Sequence, residues 1–182
     1  LEIKNFNNKK NKLILVTIHR RENWGKKTES ISNGLRKFLD SNPEAFILIP
    51  MHLNKIVREP IKKILGNHPR VILQEPLDYQ SLIATMKLCY FVITDSGGLQ
   101  EEAPSLGKPV LIIRETTERP EAIEAGTAKL IGTNCETIKS EASLLFRDKV
   151  LYRKMARSVN PFGDGNASKR ILKIVKNFLN VV

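Results

Sequence analysis

The residues of this sequence best suited to chemistry fall in five polar stretches, each following an apolar run. They are His19-Arg20-Arg21-Glu22, His52-Leu53-Asn54, Gln74-Glu75-Pro76-Leu77, Asp95-Ser96-Gly97-Gly98, and Arg114 to Arg119. The fourth is the most informative. An apolar run that ends in Thr94-Asp95-Ser96-Gly97-Gly98 and continues into a helical pattern offers bare backbone amides, a hydroxyl and the positive end of a helix dipole, a combination that holds an anion such as a pyrophosphate. A tight strand-to-helix turn capped by Asp95 or Ser96 accounts for the same letters. The stretch lacks the spacing and the Lys-Ser/Thr ending of a P-loop, and it is not a GxGxxG turn.

The neighbours sharpen the possibility of an anion site. Glu101 and Glu102 fall in the first turn and a half of the following helix, where carboxylates complement the dipole; Glu102 is also placed to accept hydrogen bonds from the hydroxyls of a ribose. Arg119 directly precedes Pro120, at the start of a helix whose first turn the proline fixes. It can meet a phosphate bidentately or pair with Glu118 or Glu121. His19, beside two arginines at the end of an apolar run, can meet a phosphate or serve as a hydrogen-bonded structural residue. His52 follows the second run in the same way, His68 reads as a loop residue, and Trp24 reads as a packing anchor.

These stretches need a scaffold that brings them to one edge. Short β-rich runs alternate with longer runs of helical period, the pattern of a parallel sheet covered by helices. The strands predicted are Leu13 to Ile18, Ala45 to Ile49, Val71 to Leu73, Tyr90 to Thr94, Val110 to Ile113 and Ala128 to Ile131. The helices predicted are Glu29 to Asp40, Ile56 to Leu65, Tyr79 to Lys87, Leu99 to Leu106, Pro120 to Ala125, Thr137 to Arg147, Val150 to Met155 and Ala167 to Val182. Asp78 is a candidate N-cap, and Gly107 suits a left-handed helix end. In the last helix Ile171, Ile174, Val175, Phe178 and Val182 make one apolar stripe that must pack on this domain or on a neighbour. The fold class is therefore α/β: a single doubly wound, Rossmann-like parallel sheet domain with a C-terminal amphipathic helix. All five polar stretches then lie at the carboxyl ends of strands, where such sheets bind ligands.

Composition narrows the function classes. At 182 residues, with 41% apolar and 27% charged content, one globular domain is expected. No apolar run approaches the roughly 18 residues of a membrane span, and no signal peptide is evident, so a soluble cytoplasmic protein without a membrane partner is expected. Cys89 and Cys135 lack the spacing of a metal knuckle or redox pair and read as reduced thiols. The formal charge of +11 comes from scattered lysines with few interleaved aromatics, which favours a solvated basic surface over a nucleic-acid groove. Leu1 in place of Met points to a processed product or a piece of a longer chain.

Assembled in order, the motifs are more specific than any one of them. His19-Arg20-Arg21-Glu22-Asn23, His52-Leu53-Asn54 with Val57-Arg58-Glu59-Pro60, the run from Thr94-Asp95-Ser96-Gly97-Gly98-Leu99-Gln100-Glu101-Glu102 to Val110, Thr116-Thr117-Glu118-Arg119-Pro120-Glu121, and Asn160-Pro161-Phe162-Gly163-Asp164-Gly165 resemble the non-hydrolysing UDP-N-acetylglucosamine 2-epimerases. The resemblance implies one half of a two-domain GT-B-type fold, with residues 1–182 forming the C-terminal UDP-binding domain and the N-terminal catalytic domain absent from this chain. It implies that Ser96, Gly97 and Gly98 hold the diphosphate, Glu102 the ribose and Arg119 the phosphates. The uracil would lie on the main chain near Leu77 and the side chain of Leu82, which stands where the family often has an aromatic residue. His19 matches an active-site histidine, and Arg20 and His52 match residues of a second, regulatory UDP-N-acetylglucosamine site.

The reaction implied removes the C2 proton, expels UDP to give a 2-acetamidoglucal, and adds UDP back with the proton on the opposite face. It uses no cofactor and no metal. The implied partners are UDP and UDP-N-acetylhexosamine, the N-terminal domain that carries the proton-exchanging carboxylates, and a second copy in a homodimer; the chain alone is expected to be inactive. The alternatives are the donor-nucleotide domain of a glycosyltransferase of the same build, which the Thr116 to Glu121 pattern disfavours, and a basic interaction module without enzymatic activity.

Overall fold

The apolar runs are too hydrophobic to face water on either side, and they become the strands of a sheet covered on both faces. In the computed structural model, which describes residues 10–179, six parallel strands alternate with helices. The strands are β1 (Lys12–Thr17), β2 (Ala45–Pro50), β3 (Val71–Gln74), β4 (Phe91–Thr94), β5 (Val110–Ile112) and β6 (Ala128–Leu130). The helices are α1 (Lys26–Ser41), α2 (Lys55–Leu65), α3 (Tyr79–Leu88), α4 (Gly97–Ser105), α5 (Pro120–Glu124), α6 (Cys135–Arg147), α7 (Lys149–Ala156) and α8 (Ala167–Phe178).

The strand order is β3-β2-β1-β4-β5-β6, the doubly wound arrangement expected from the sequence. The chain leaves β1 in one direction and β4 in the other, so a crevice opens at the carboxyl ends of that central pair. There Val16 stands against Ile93 and Thr17 against Thr94, and the two threonine hydroxyls meet at 2.6 Å.

Alternation along β1 divides the core into two layers. Ile14 and Val16 face α1, α2 and α6, packing with Phe38, Ile61 and Ile138. Leu13 and Leu15 face α3, α4 and α5, packing with Met86, Ala103 and Ala122. All four side chains are at most 2% exposed, and burying one such side chain is worth about 1.5–3 kcal/mol. Gly34 lets α1 approach α6 closely: a β-carbon there would lie 2.8 Å from the Cys135 carbonyl oxygen and 2.9 Å from the Ile138 β-carbon.

Among the differences from the sequence expectation are two helix starts, each with a local reason, and the surroundings of α8. Helix α1 starts at Lys26, ahead of Glu29, because Gly25 adopts a φ of 72° that turns the chain out of the short 3₁₀ turn Arg21–Asn23. Helix α6 starts at Cys135 because the Asn134 side chain accepts from the amides of Glu136 and Thr137. In α8 the stripe predicted to pack leaves Ile171, Ile174, Val175 and Phe178 exposed, so the described part of this domain does not cover it; Val182 lies outside the described residues. The cap at Asp78 and the left-handed Gly107 are as expected. No helix among the described residues is long and apolar enough to cross a membrane.

Candidate functional site

At the crevice, the ends of β1 to β4 enclose a cavity of about 520 Å³, a size suited to a small molecule. Its lining is largely apolar, with Met51, Leu53, Pro76, Leu77, Leu82 and Leu99, and the polar positions are Thr17, His19, His52 and Ser96. Five residues singled out in the sequence, His19, His52, Leu77, Leu82 and Ser96, therefore share one cavity. The backbone amide and carbonyl of Leu77 have no hydrogen-bond partner among the described residues, which leaves a donor and an acceptor beside the apolar lining.

Helix α4 starts at the polar edge of this cavity. Its cap is Ser96, whose Oγ accepts from the Leu99 amide at 3.5 Å. Gly97 and Gly98 supply the first two amides of the helix, positions that have no partner within a helix and are left for an anion. Neither glycine has a positive φ. A β-carbon at Gly97 would come no closer than 3.9 Å to Arg119 Nη2, and one at Gly98 no closer than 3.9 Å to Glu102 Oε1 and Ser96 Oγ. The backbone therefore does not require glycine at either position; the bare main chain suits a ligand that approaches it closely.

Asp95 is neither the cap nor part of the anion-facing surface. It is fully buried, and its carboxylate accepts from the amides of His19 (3.0 Å) and Arg20 (2.9 Å), from Asn23 Nδ2 (3.0 Å) and from the His19 ring, with Nδ1 at 3.1 Å. Burial alone would raise the carboxyl, but the bond and charge of His19 and the donors from Arg20 and Asn23 outweigh it and hold Asp95 below the ordinary carboxylate range. An ionised carboxylate only accepts, so His19 Nδ1 carries the proton and Nε2 remains available to a ligand. Trp24 is the packing anchor expected: its indole N–H reaches the His19 carbonyl, and its ring lies 6.1 Å from that of His52. His52 is further fixed by accepting from the Asn54 amide at 3.0 Å.

Arg119 reaches α4 from the loop after β5. Its Nε pairs with Glu101, and Nη1 donates to the Glu118 carbonyl at 3.1 Å, so neither expected carboxylate partner, Glu118 or Glu121, is used. Nη2 is directed toward Gly97. Glu102 lies on the adjoining face beside Gly98. A half-buried relay underlies the group: Gln100 Nε2 donates to the Ser96 carbonyl at 3.1 Å, Thr117 Oγ1 donates to Gln100 Oε1 at 2.6 Å, and the Arg119 amide donates to Thr117 Oγ1 at 3.1 Å.

Arg20 stands outside the cavity lining, its Nη2 donating to both Glu118 oxygens at 3.2 and 3.4 Å. Glu118 also receives the buried Arg114 guanidinium, which donates to Glu22 Oε1 at 2.5 Å as well. The Arg114 contact lowers the Glu118 carboxyl to about 2, with Arg20 adding to the effect. Arg20 and His52 are thus not brought into contact with each other. Among the described residues, no group of three or more His, Cys, Asp or Glu could hold a metal ion.

The sequence reading missed the bonds made by Asn23, Gln100 and Thr117, Glu101 as the partner of Arg119, and the buried role of Asp95. One signal was available. Gln100 lies four residues after Ser96, the spacing at which a helical side chain reaches back over the preceding turn.

The profile of the family described as UDP-N-acetylglucosamine 2-epimerase matches residues 1–176. The UDP-N-acetylglucosamine 2-epimerase of Salmonella typhimurium is 49% identical over 173 residues, which is 95% of this chain and 46% of that protein. Among solved structures, the S. aureus MnaA–UDP co-structure superposes with a TM-score of 0.89 at 48% identity, covering 95% of this chain and 47% of that one. The Neisseria meningitidis UDP-GlcNAc 2-epimerase bound to UDP-GlcNAc superposes with a TM-score of 0.86 at 44% identity, covering 92% and 45%. The chain thus spans about half the length of these relatives. By sequence along nearly its whole length and by fold, it belongs to the UDP-N-acetylglucosamine 2-epimerase family.

Proposed function

We propose that this chain is the C-terminal, UDP-binding half of a non-hydrolysing UDP-N-acetylglucosamine 2-epimerase. The observation that carries the reading is the continuity of the site. A largely apolar cavity, with a Leu77 main chain that is unpaired among the described residues, also holds His19 and Ser96, and Ser96 begins α4, where Arg119 and Glu102 flank the glycines. Uracil lies on Leu77 and Leu82, the ribose hydroxyls donate to Glu102, and the diphosphate takes the amides of Gly97 and Gly98, the Ser96 hydroxyl and Arg119. The S. aureus relative was solved with UDP and the Neisseria relative with UDP-GlcNAc, in keeping with a nucleotide-sugar site.

In the elimination, a base takes the C2 proton, the C1–C2 double bond forms, and the C1–O bond breaks with its electron pair going to the β-phosphate oxygen of UDP. Re-addition reverses these changes and returns the proton to the opposite face. The groups on this chain act on the leaving group: preorganised amides and a guanidinium stabilise charge that grows as the bond breaks. His19, fixed by its Nδ1 bond to Asp95, lines the same cavity beside Ser96.

Titration of the chain with UDP should give saturable binding that is lost in the Ser96→Ala, Arg119→Ala double variant. Mixing the chain with a separately produced N-terminal half should restore interconversion of UDP-N-acetylglucosamine and UDP-N-acetylmannosamine. Epimerisation by the 182-residue chain alone, or salt-sensitive RNA binding that UDP does not displace, would overturn the proposal.

A further inference from the structure

We infer that Gln100 and Thr117 are positioning residues that hold Arg119 in register with the start of α4, so that its guanidinium and the amides of Gly97 and Gly98 grip the same diphosphate. The inference deepens the nucleotide reading above and rests on it.

Arg119 lies on the loop after β5, whereas the amides belong to a helix that follows β4. Two links join them. The Arg119–Glu101 ion pair is more than a third exposed on both sides, and such pairs contribute little to holding a geometry in water. The other link is the relay through Gln100, whose side chain is fully buried. It runs from the Arg119 amide to the Thr117 hydroxyl, on to Gln100 Oε1, and from Gln100 Nε2 to the Ser96 carbonyl.

The donors and acceptors permit one arrangement. The Ser96 carbonyl only accepts, so the amide nitrogen of Gln100 must face it, and Oε1 then faces Thr117. The single hydroxyl proton of Thr117 is spent on Oε1, which leaves an oxygen lone pair for the Arg119 N–H. Each bond fixes the direction of the next, and a half-buried chain of this kind, centred on the fully buried Gln100, resists the small displacements that weaken a preorganised site. Ser96 is both the end of the relay and the cap of α4, so the backbones of Arg119 and of the helix start are tied to one side chain.

The test uses the 182-residue chain, with UDP and uridine as probes in calorimetric titrations. Uridine lacks the diphosphate, so it reports the base and ribose contacts alone. Thr117→Val removes the hydroxyl at constant shape; loss of one hydrogen bond's worth of positioning should weaken UDP binding about five- to tenfold. Uridine binding should stay within twofold of wild type, and Thr117→Ser should restore UDP binding. Combined with Arg119→Ala, Thr117→Val should add no further loss, because its effect passes through Arg119. Equal weakening of UDP and uridine, unchanged UDP binding in Thr117→Val, or a further loss on top of Arg119→Ala would each overturn the inference while the nucleotide reading stands. A wild-type chain that binds UDP no better than uridine would overturn that reading and the inference with it.

Discussion

Alanine at Gly97 or Gly98 should separate what the fold needs from what a ligand needs. Neither residue has a positive φ, and a β-carbon at either would find only ordinary contacts near 3.9 Å. Glycine to alanine at a compatible position narrows the unfolded ensemble and stabilises by about 0.4–1 kcal/mol. For a chain of this length that corresponds to a rise of about 1–4 °C in melting temperature. The same methyl group fills the space through which a diphosphate reaches the first two amides of α4. A hydrogen bond to a charged group is worth about 1.5–3 kcal/mol, so the loss of one should weaken UDP binding about ten- to hundredfold. Urea denaturation measures the first quantity and calorimetric titration with UDP the second. Two results would refute the reasoning: a stability loss above about 0.5 kcal/mol, which would mean the backbone itself requires glycine, or UDP binding within twofold of wild type, which would place the diphosphate elsewhere.

Two further substitutions test the scaffold. Gly34→Ala should destabilise despite a gain in helix propensity of about 1 kcal/mol, because its methyl meets the Cys135 carbonyl and the Ile138 β-carbon below 3 Å and overpacking costs about 1–3 kcal/mol; a more stable variant in urea denaturation would contradict the packing described. Asp95→Asn puts an N–H₂ group among the donors of His19, Arg20 and Asn23 and should cost about 2–4 kcal/mol at neutral pH. The folded carboxyl lies below its ordinary 3.8, so protonation favours the unfolded chain: this stability is complete above about pH 5 and is lost as pH falls below 3.8. The gap between wild type and Asp95→Asn should therefore close in acid, and a gap that widens there would count against the assigned bonds.

The parts that the sequence made legible are those decided locally. Runs such as Phe91 to Thr94 contain too much apolar surface for any place but the middle of a sheet, and the six strands and the doubly wound class follow from such runs and the helices between them. The placing of His19, His52 and Ser96 at strand ends follows in turn, because a parallel sheet puts every strand's carboxyl end on the same edge. What was hidden depends on partners distant in the chain. Asp and Ser are equally good capping letters, and what removes Asp95 from that role is a set of donors from His19, Arg20 and Asn23, more than 70 residues earlier. By sequence Arg119 has Glu118 and Glu121 in reach, and only the folded approach of the loop to α4 brings Glu101 to it instead. Gln100 reads as an unremarkable helical glutamine until Thr117 is seen to stand over it.

The distribution of carboxylates bears on how the reaction would be divided between two halves. A general base needs a carboxylate that can reach the substrate and is free to exchange a proton near the working pH. Asp95 is buried and held low by its donors, Glu118 is held at about 2 by Arg114, and Glu101 is paired with Arg119. Glu22 is taken by Arg114. Of the acidic residues around α4 and its facing loops, Glu102 is the one beside the free amides that no ion pair among the described residues occupies, and its proposed task is to accept from a ribose. The chain therefore concentrates donors and cations, the groups that stabilise a departing diphosphate, and commits its carboxylates to positioning them. That distribution, in the proposed reading, suits the leaving group. In the proposed reading, exchange of the C2 proton falls to carboxylates that come from beyond these residues, and the complementation experiment with a separate N-terminal half is the measurement that decides it.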